Sequence, residues 1–106
     1  MNSELCFLYV TTTNNENAKH LSRILLQEKL IACANILPQM EALYWWEGKI
    51  EEGSEALMIL KTTRDKIDLV RAKLKTIHPY QTPCIAEIHI DSMNAEYQNW
   101  ILNSLK

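Results

Sequence analysis

Apolar side chains recur along this chain at two different periods, and the changes of period divide it into predicted strands and helices. Residues 5–12 are apolar and β-branched at both odd and even positions, which is typical of a central strand covered on both faces. Residues 16–29 carry apolar side chains at helical spacing, and Thr13 with Glu16 matches a capping box at the start of that helix. The chain therefore opens with a buried strand and an amphipathic helix.

Strand character returns at residues 31–37, and Pro38 predicts a bulge or an edge position there. The strand resumes at residues 43–46. Gly48 follows and indicates a tight hairpin turn, because glycine readily supplies the positive φ that such a turn often needs. Residues 56–62 are again apolar at both odd and even positions. The middle of the chain is therefore predicted to be a β-hairpin with long arms.

A second helix follows, capped by Thr62 or Thr63, with a buried stripe that recurs every three or four residues. Residues 84–90 alternate as a final strand, and residues 94–105 form a short C-terminal helix. The order is β-α-β-β-α-β plus that helix, which is the ferredoxin-like split β-α-β arrangement of the α+β class. Its length suits one domain over residues 1–106.

Composition and charge exclude several classes of protein. The chain is 47% hydrophobic and 23% charged with a formal net charge of −2, and it has no basic run, which argues against a nucleic-acid surface. No apolar segment reaches the roughly 18 residues that span a membrane. Residues 5–10 are too short for a signal-peptide core, so we expect a cytoplasmic protein.

The three cysteines, Cys6, Cys33 and Cys84, are odd in number and widely spaced, and the sequence shows no secretion signal, which argues against a disulfide framework. Each lies in an apolar run and is predicted to be a buried small hydrophobe.

The near arm of the predicted hairpin places Leu43, Tyr44, Trp45 and Trp46 in succession. Adjacent residues of a strand point to opposite faces, and a small helix-on-sheet monomer covers only one face. Large apolar side chains on both faces of a projecting hairpin therefore predict that other subunits cover them. A stacking platform for bases or sugars is the alternative interpretation.

The loop at residues 77–83 offers the strongest lead to chemistry. Pro79 and Pro83 restrict the residues before them to extended geometry, so His78 and Tyr80 lie on a stiff segment. His78 is a candidate metal ligand or proton shuttle. The alternative is a histidine that is hydrogen-bonded to the backbone.

Glu47 and Lys61 are further candidates for lining a binding cleft, beside the alternative of an ordinary surface pair. No Ser-His-Asp order, Gly-rich phosphate loop or HExxH helix is present in the sequence, so we expect a protein that is not an enzyme.

Five segments carry a resemblance to a known family. Leu-Ile-Ala-Cys-Ala-Asn-Ile at 30–36, Tyr-Trp-Trp-Glu-Gly-Lys-Ile at 44–50, Leu-Lys-Thr-Thr at 60–63, His-Pro-Tyr-Gln-Thr-Pro at 78–83 and the pair Tyr97 and Trp100 resemble the motifs of the CutA divalent-cation tolerance family. The likeness is in register from the first strand to the last helix.

The resemblance implies an intertwined, PII-like homotrimer with extended intersubunit hairpins, a cytosolic location and a role in tolerance to copper and other divalent ions. It implies weak binding of Cu or another divalent ion, and no organic cofactor. Some members have a Cys and a second His where this chain has Thr11 and Ile77, which leaves His78 as the metal candidate. Likeness to PII-type trimers gives an alternative function, a sensor that binds a small-molecule effector in clefts between subunits. The candidate residues for that cleft are Glu47, Lys61, His78 and Tyr80.

Overall fold

The computed structural model describes residues 4–106, so residues 1–3 of the predicted domain lie outside the described part. The elements are β1 (Leu5–Thr12), α1 (Asn15–Gln27), β2 (Cys33–Trp46), β3 (Lys49–Thr63), a short 3₁₀ turn (Arg64–Lys66), α2 (Ile67–Ile77), β4 (Ile85–His89) and α3 (Ala95–Ser104). This is the predicted order, and the α+β, ferredoxin-like expectation is confirmed.

The sheet has four strands in the order β2-β3-β1-β4, and every neighbouring pair is antiparallel. Even-numbered residues of β1 and β3 form the helix face, which α1 and α2 cover. The opposite face, lined by odd-numbered residues such as Phe7, Ile59 and Lys61, is called the open face below. The core on the helix face is built from Leu8, Val10, Leu21, Leu25, Met58, Leu60, Val70 and Leu74, which are all fully buried.

The start of α1 differs from the predicted capping box. Asn14 is the N-cap, and its side-chain oxygen accepts a hydrogen bond from the backbone N–H of Asn17 at 2.8 Å. Thr13 and Glu16 therefore lie one position too early for the capping pattern. An asparagine caps a helix at least as well as a threonine, so the helix begins one residue later than the Thr13 pattern requires.

The long β-hairpin confirms two predictions. The pairing of β2 with β3 shifts between Leu37 and Met40, so Pro38 marks a β-bulge within one continuous edge strand. At the turn, φ is 48° for Glu47 and 78° for Gly48, the two positive values that a two-residue hairpin turn of type I′ requires.

The hairpin projects beyond the rest of the sheet. Strand β1 pairs with β3 from Ala56 to Thr63, so residues 49–55 pair with β2 alone. At about 3.4 Å per residue this arm is roughly 20 Å long. The large side chains along it are exposed: Leu43 by 64%, Tyr44 by 47%, Trp45 by 73%, Trp46 by 61% and Ile50 by 63%.

The second crossover begins with the 3₁₀ turn. Thr63 occupies its N-cap position and its hydroxyl donates to the Asp65 carboxylate, while α2 proper starts only at Ile67. Among residues 4–106, no helix is both long enough and apolar enough to span a membrane.

The cysteines correct one prediction. Cys6 is buried on the helix face, but Cys33 is half-buried and Cys84 is exposed. Cys33 faces the side of the sheet that α1 and α2 leave uncovered, and Cys84 precedes an edge strand, so an apolar sequence context did not ensure burial. Burial raises the pKa of the Cys6 thiol, and the nearby Glu87 carboxylate adds to that rise.

Candidate functional site

His78 lies at the C-terminal end of α2 and points into the protein. Only 9% of its surface is exposed, and its ring nitrogen Nε2 lies 2.8 Å from the carbonyl oxygen of Thr11. The other ring nitrogen, Nδ1, accepts a hydrogen bond from the backbone N–H of Tyr80 at 3.0 Å. Because the Thr11 carbonyl can only accept, Nε2 carries the proton in this arrangement. This is the arrangement that the sequence left open as the alternative for His78, a histidine that is hydrogen-bonded to the backbone.

Tyr80 continues this network from the loop to β3. Its hydroxyl donates to the Glu55 carboxylate at 2.8 Å, and its ring packs against the His78 ring with centroids 4.9 Å apart. One histidine and one tyrosine therefore tie the loop to β1 through Thr11 and to β3 through Glu55. The stiffness predicted from Pro79 and Pro83 is reinforced by three side-chain hydrogen bonds.

The hydroxyl of Tyr80 is held in its protonated form. Partial burial, followed by the hydrogen bond and negative charge of Glu55, raises its pKa to about 12. Burial and a nearby carboxylate both oppose the charged phenolate, which explains why the two causes act in the same direction.

Replacing Tyr80 by phenylalanine tests that contact through its pH dependence. In the unfolded chain a tyrosine loses its proton near pH 10, and folded Tyr80 does so near pH 12. The stabilisation is therefore complete below about pH 10 and is lost as the pH rises toward 12, because the unfolded chain releases its proton first. We expect the free energy of unfolding of the original protein to approach that of Tyr80→Phe across this window, as measured by urea titrations. A constant gap would contradict the assignment.

Lys61 forms a second cluster on the open face, under α3. Its ammonium Nζ lies 3.1 Å from the hydroxyl of Tyr97, 5.0 Å from the centre of the Tyr97 ring and 5.5 Å from that of Phe7. Both rings attract the cation, and Tyr97 also stacks on Trp100 at 5.5 Å. The Tyr97 and Trp100 motif of the sequence thus positions α3 and places a lysine among aromatic rings.

The four predicted cleft residues occupy three places in one chain. His78 and Tyr80 lie together beside Glu55. Lys61 is six residues farther along β3, about 20 Å away at the rise of a strand. Glu47 lies at the exposed hairpin turn, about 20 Å beyond Glu55 in the other direction. The single chain therefore brings together two of the four residues, and their role as cleft residues stays a prediction.

The described residues hold no ready metal site within one chain. No group of three or more His, Cys, Asp or Glu side chains in residues 4–106 is placed to hold a metal ion. Thr11 is buried and offers His78 its backbone carbonyl, while Ile77 is the last residue of α2. Metal ligation by His78 at either nitrogen would replace one of its two hydrogen bonds, and the ligand role stays a prediction.

Removing the His78 ring is expected to destabilise the fold. His78→Ala leaves the buried Thr11 carbonyl and the Tyr80 amide without their partner, which costs about 1–3 kcal/mol for an unsatisfied buried group. His20 is exposed on α1 and serves as the matched control, with an expected change within about 0.5 kcal/mol. Urea unfolding followed by circular dichroism measures both. Equal stabilities of the two variants would contradict the structural role.

Sequence reasoning did not identify Glu55 or the basic face of α2. Glu55 sits among residues of mixed polarity, and only the tertiary structure brings the Tyr80 hydroxyl within hydrogen-bond distance of its carboxylate. Arg71 and Lys75 are four residues apart and so share one face of α2. That spacing was a usable signal for a basic surface beside the Pro-rich loop.

Comparison with known proteins gives consistent results over nearly the whole chain. The family model described as "CutA1 divalent ion tolerance protein" matches residues 6–104. The divalent-cation tolerance protein CutA of Thermococcus kodakarensis is 46% identical over 102 residues, covering 96% of this chain and 97% of the relative. The protein of the same name from Pyrococcus horikoshii is 41% identical, covering 96% and 99%.

Solved structures agree with these matches. The crystal structure of the divalent ion tolerance protein CutA1 from Ehrlichia chaffeensis superposes with a TM-score of 0.94 at 39% identity, covering 100% of this chain and 98% of that one. The periplasmic divalent cation tolerance protein CutA from Archaeoglobus fulgidus gives a TM-score of 0.93 at 39% identity, covering 96% and 99%.

Proposed function

This chain belongs to the CutA1 divalent ion tolerance family, and we propose that it supports tolerance to copper and other divalent cations as a homotrimer that is not an enzyme. The observation that carries the proposal is the projecting hairpin. Its exposed Leu43, Tyr44, Trp45, Trp46 and Ile50 form a surface that a second copy can cover.

The hairpin supports self-association because it is poorly stabilised on its own. An isolated two-stranded ribbon is marginally stable in water, and residues 49–55 pair with no strand other than β2. Strand β2 also lies at the edge of the sheet, where its outer N–H and C=O groups are available to another chain. Pairing between copies satisfies those groups and buries the tryptophans. The number of copies, three, comes from the family resemblance.

Metal contact is proposed at the junctions between copies. The hairpin carries Glu47, Glu51 and Glu52 as exposed carboxylates, and a partner's hairpin is proposed to bring such groups toward His78. Carboxylate and imidazole ligands suit a divalent ion. Weak binding is expected because residues 4–106 hold no preformed group of metal ligands and His78 must exchange a hydrogen bond for a metal bond.

Calorimetric titration of the assembled protein with Cu(II) and Zn(II) tests the metal proposal. Saturable heat is expected for the original protein and for His20→Ala, and a smaller heat for a folded His78→Ala. Equal isotherms for the two histidine variants would remove His78 as a ligand. The absence of saturable heat with either ion would contradict metal binding.

Growth of cells in elevated copper tests the biological part of the proposal. Cells that lack the protein are expected to grow poorly in that medium, and the original chain is expected to restore growth. A Trp46→Ala chain is expected to restore growth less well, because the proposed function requires assembly. Equal growth with and without the protein would contradict a role in copper tolerance.

The Lys61 cluster favours a second candidate, a PII-like trimeric sensor with a small-molecule effector in the clefts between subunits. A cation held between the Phe7 and Tyr97 rings on the open face is suited to an anionic or aromatic group. A ligand that binds the folded trimer raises its apparent stability by mass action. Thermal unfolding with a panel of metabolites, nucleotides included, is the test, and a flat panel would count against a sensor.

We propose that the protein is cytoplasmic. Cys6, Cys33 and Cys84 are all free thiols, which suits a reducing compartment. Cell fractionation with an antibody to the chain is expected to find it in the cytosolic fraction, and recovery outside that compartment would contradict the placement.

A further inference from the structure

A cavity of about 430 Å³ lies between α2 and the Pro-rich loop, within one chain and apart from the hairpin. Its size falls within the range of about 300–1,000 Å³ that is common for small-molecule sites. It is called the α2–loop groove below. Its lining residues are Arg71, Lys75, Tyr80, Gln81, Thr82, Pro83 and Ile85.

The groove combines positive charge with neutral hydrogen-bond donors. Arg71 and Lys75 lie four residues apart on α2, so their side chains project on the same side of the helix. The Arg71 guanidinium forms ion pairs with Glu87 at 3.3 Å and with Asp68 at 3.9 Å, which offset much of its charge. Among residues 4–106, Lys75 forms no ion pair within 4 Å, so its ammonium is available to an anion.

The opposite wall adds polar and apolar groups. Gln81 and Thr82 bring an amide and a hydroxyl, and both side chains are exposed. Tyr80, Pro83 and Ile85 bring apolar surface to the same space. A ligand whose oxyanion is hydrogen-bonded to Lys75 and Thr82 would therefore have room for an apolar group that contacts this apolar surface.

The loop wall is fixed before any ligand arrives. His78 donates a hydrogen bond to the Thr11 carbonyl and accepts one from the backbone N–H of Tyr80. The Tyr80 hydroxyl donates a hydrogen bond to the Glu55 carboxylate. Pro79 and Pro83 restrict the backbone on either side of Gln81 and Thr82. A site whose wall is already ordered loses less conformational entropy on binding. The stiff loop can therefore favour ligand binding in the groove even where His78 binds no metal.

We propose that the α2–loop groove binds a small organic oxyanion, with a phosphate or carboxylate head at Lys75 and Thr82 and an apolar body against Pro83 and Ile85. The site is independent of the proposed metal function, because its polar contacts come from one chain and need no metal ion. Phosphate esters and carboxylates share this chemistry, and the experiment separates them.

Titration of the isotopically labelled full-length protein with phenyl phosphate, benzoate and inorganic phosphate, followed by amide NMR shifts, tests the proposal. Saturable shifts are expected at Gln81 and Thr82, with a dissociation constant on the order of 1 mM for phenyl phosphate. Tighter binding of phenyl phosphate than of benzoate assigns a phosphate ester, and the reverse order assigns a carboxylate. Equal affinity for phenyl phosphate and inorganic phosphate would overturn the proposal that the groove binds the organic part of its ligand.

Lys75→Gln removes the available charge while retaining most of the side-chain length. We expect it to weaken phenyl phosphate binding about two- to fivefold, the range for loss of one exposed charge contact. Lys19→Gln changes an exposed lysine on α1, away from the groove, and is expected to bind as the original protein does. Absence of saturable shifts at Gln81 and Thr82, or equal weakening by the two lysine variants, would overturn the proposal.

Discussion

Replacing Trp46 by alanine is expected to break up the assembly and to lower the stability of the protein by about 3–5 kcal/mol, the range for truncation of a buried tryptophan. Trp46 is 61% exposed in the single chain, so this loss can arise only where another copy covers it. The size of the effect therefore reports burial between subunits and not burial within the chain.

Light scattering and thermal unfolding of Trp46→Ala measure the two parts of this expectation. Trp46→Phe keeps an aromatic ring at the same position of the hairpin and is expected to retain the assembly with a smaller loss. A Trp46→Ala protein with the original mass and unchanged melting would show that the hairpin tryptophan is not covered.

Replacing Leu8 by alanine is the second large effect. Leu8 is fully buried on β1, faces α1 and α2 and pairs in register with Leu60 of β3. Truncating it removes methyl groups from a packed core and leaves a cavity, which costs about 3–5 kcal/mol. The change should appear as a lower urea concentration at the midpoint of unfolding.

Leu69 provides the matched control for Leu8, because it is a leucine on α2 that is 55% exposed. Leu69→Ala is expected to change the free energy of unfolding by about 0.5 kcal/mol or less. Similar losses for Leu8→Ala and Leu69→Ala would contradict the assignment of the helix face as the core.

The architecture was predictable because it depends on the spacing of apolar residues, which can be read directly from the sequence. The run at residues 5–12 became the central strand β1, and the switch to helical spacing became α1. Pro38 and Gly48 act through fixed local sterics, so the bulge and the turn followed from single residues. Local rules of this kind need no knowledge of the tertiary structure.

Features that depend on distant partners were not predictable in the same way. His78 is buried with a hydrogen bond to the Thr11 carbonyl, 67 residues away in sequence. The sequence left a backbone hydrogen bond open as the alternative, but it could not identify so distant a partner. Lys61 meets Tyr97 only because α3 returns to the open face. The cap of α1 was missed for a local reason, because the spacing of Thr13 and Glu16 favoured Thr13, whereas Asn14, which is also an acceptable cap, occupies the position.

The candidate site was predicted in part. The stiff loop was recognised, and His78 and Tyr80 do lie together on it. The groove behind that loop was not recognised, because Arg71 and Lys75 belong to a helix whose orientation toward the loop depends on packing. The proposed role of the hairpin aromatics depends on neighbouring copies, which a single chain does not show.

Native mass spectrometry of the untagged protein tests the central claim most directly, because the proposed function depends on copies that cover one another's hairpins. One chain has a mass of 12.3 kDa, and we expect a dominant species of three times that mass that persists at low protein concentration. A dominant species of 12.3 kDa under the same conditions would contradict it.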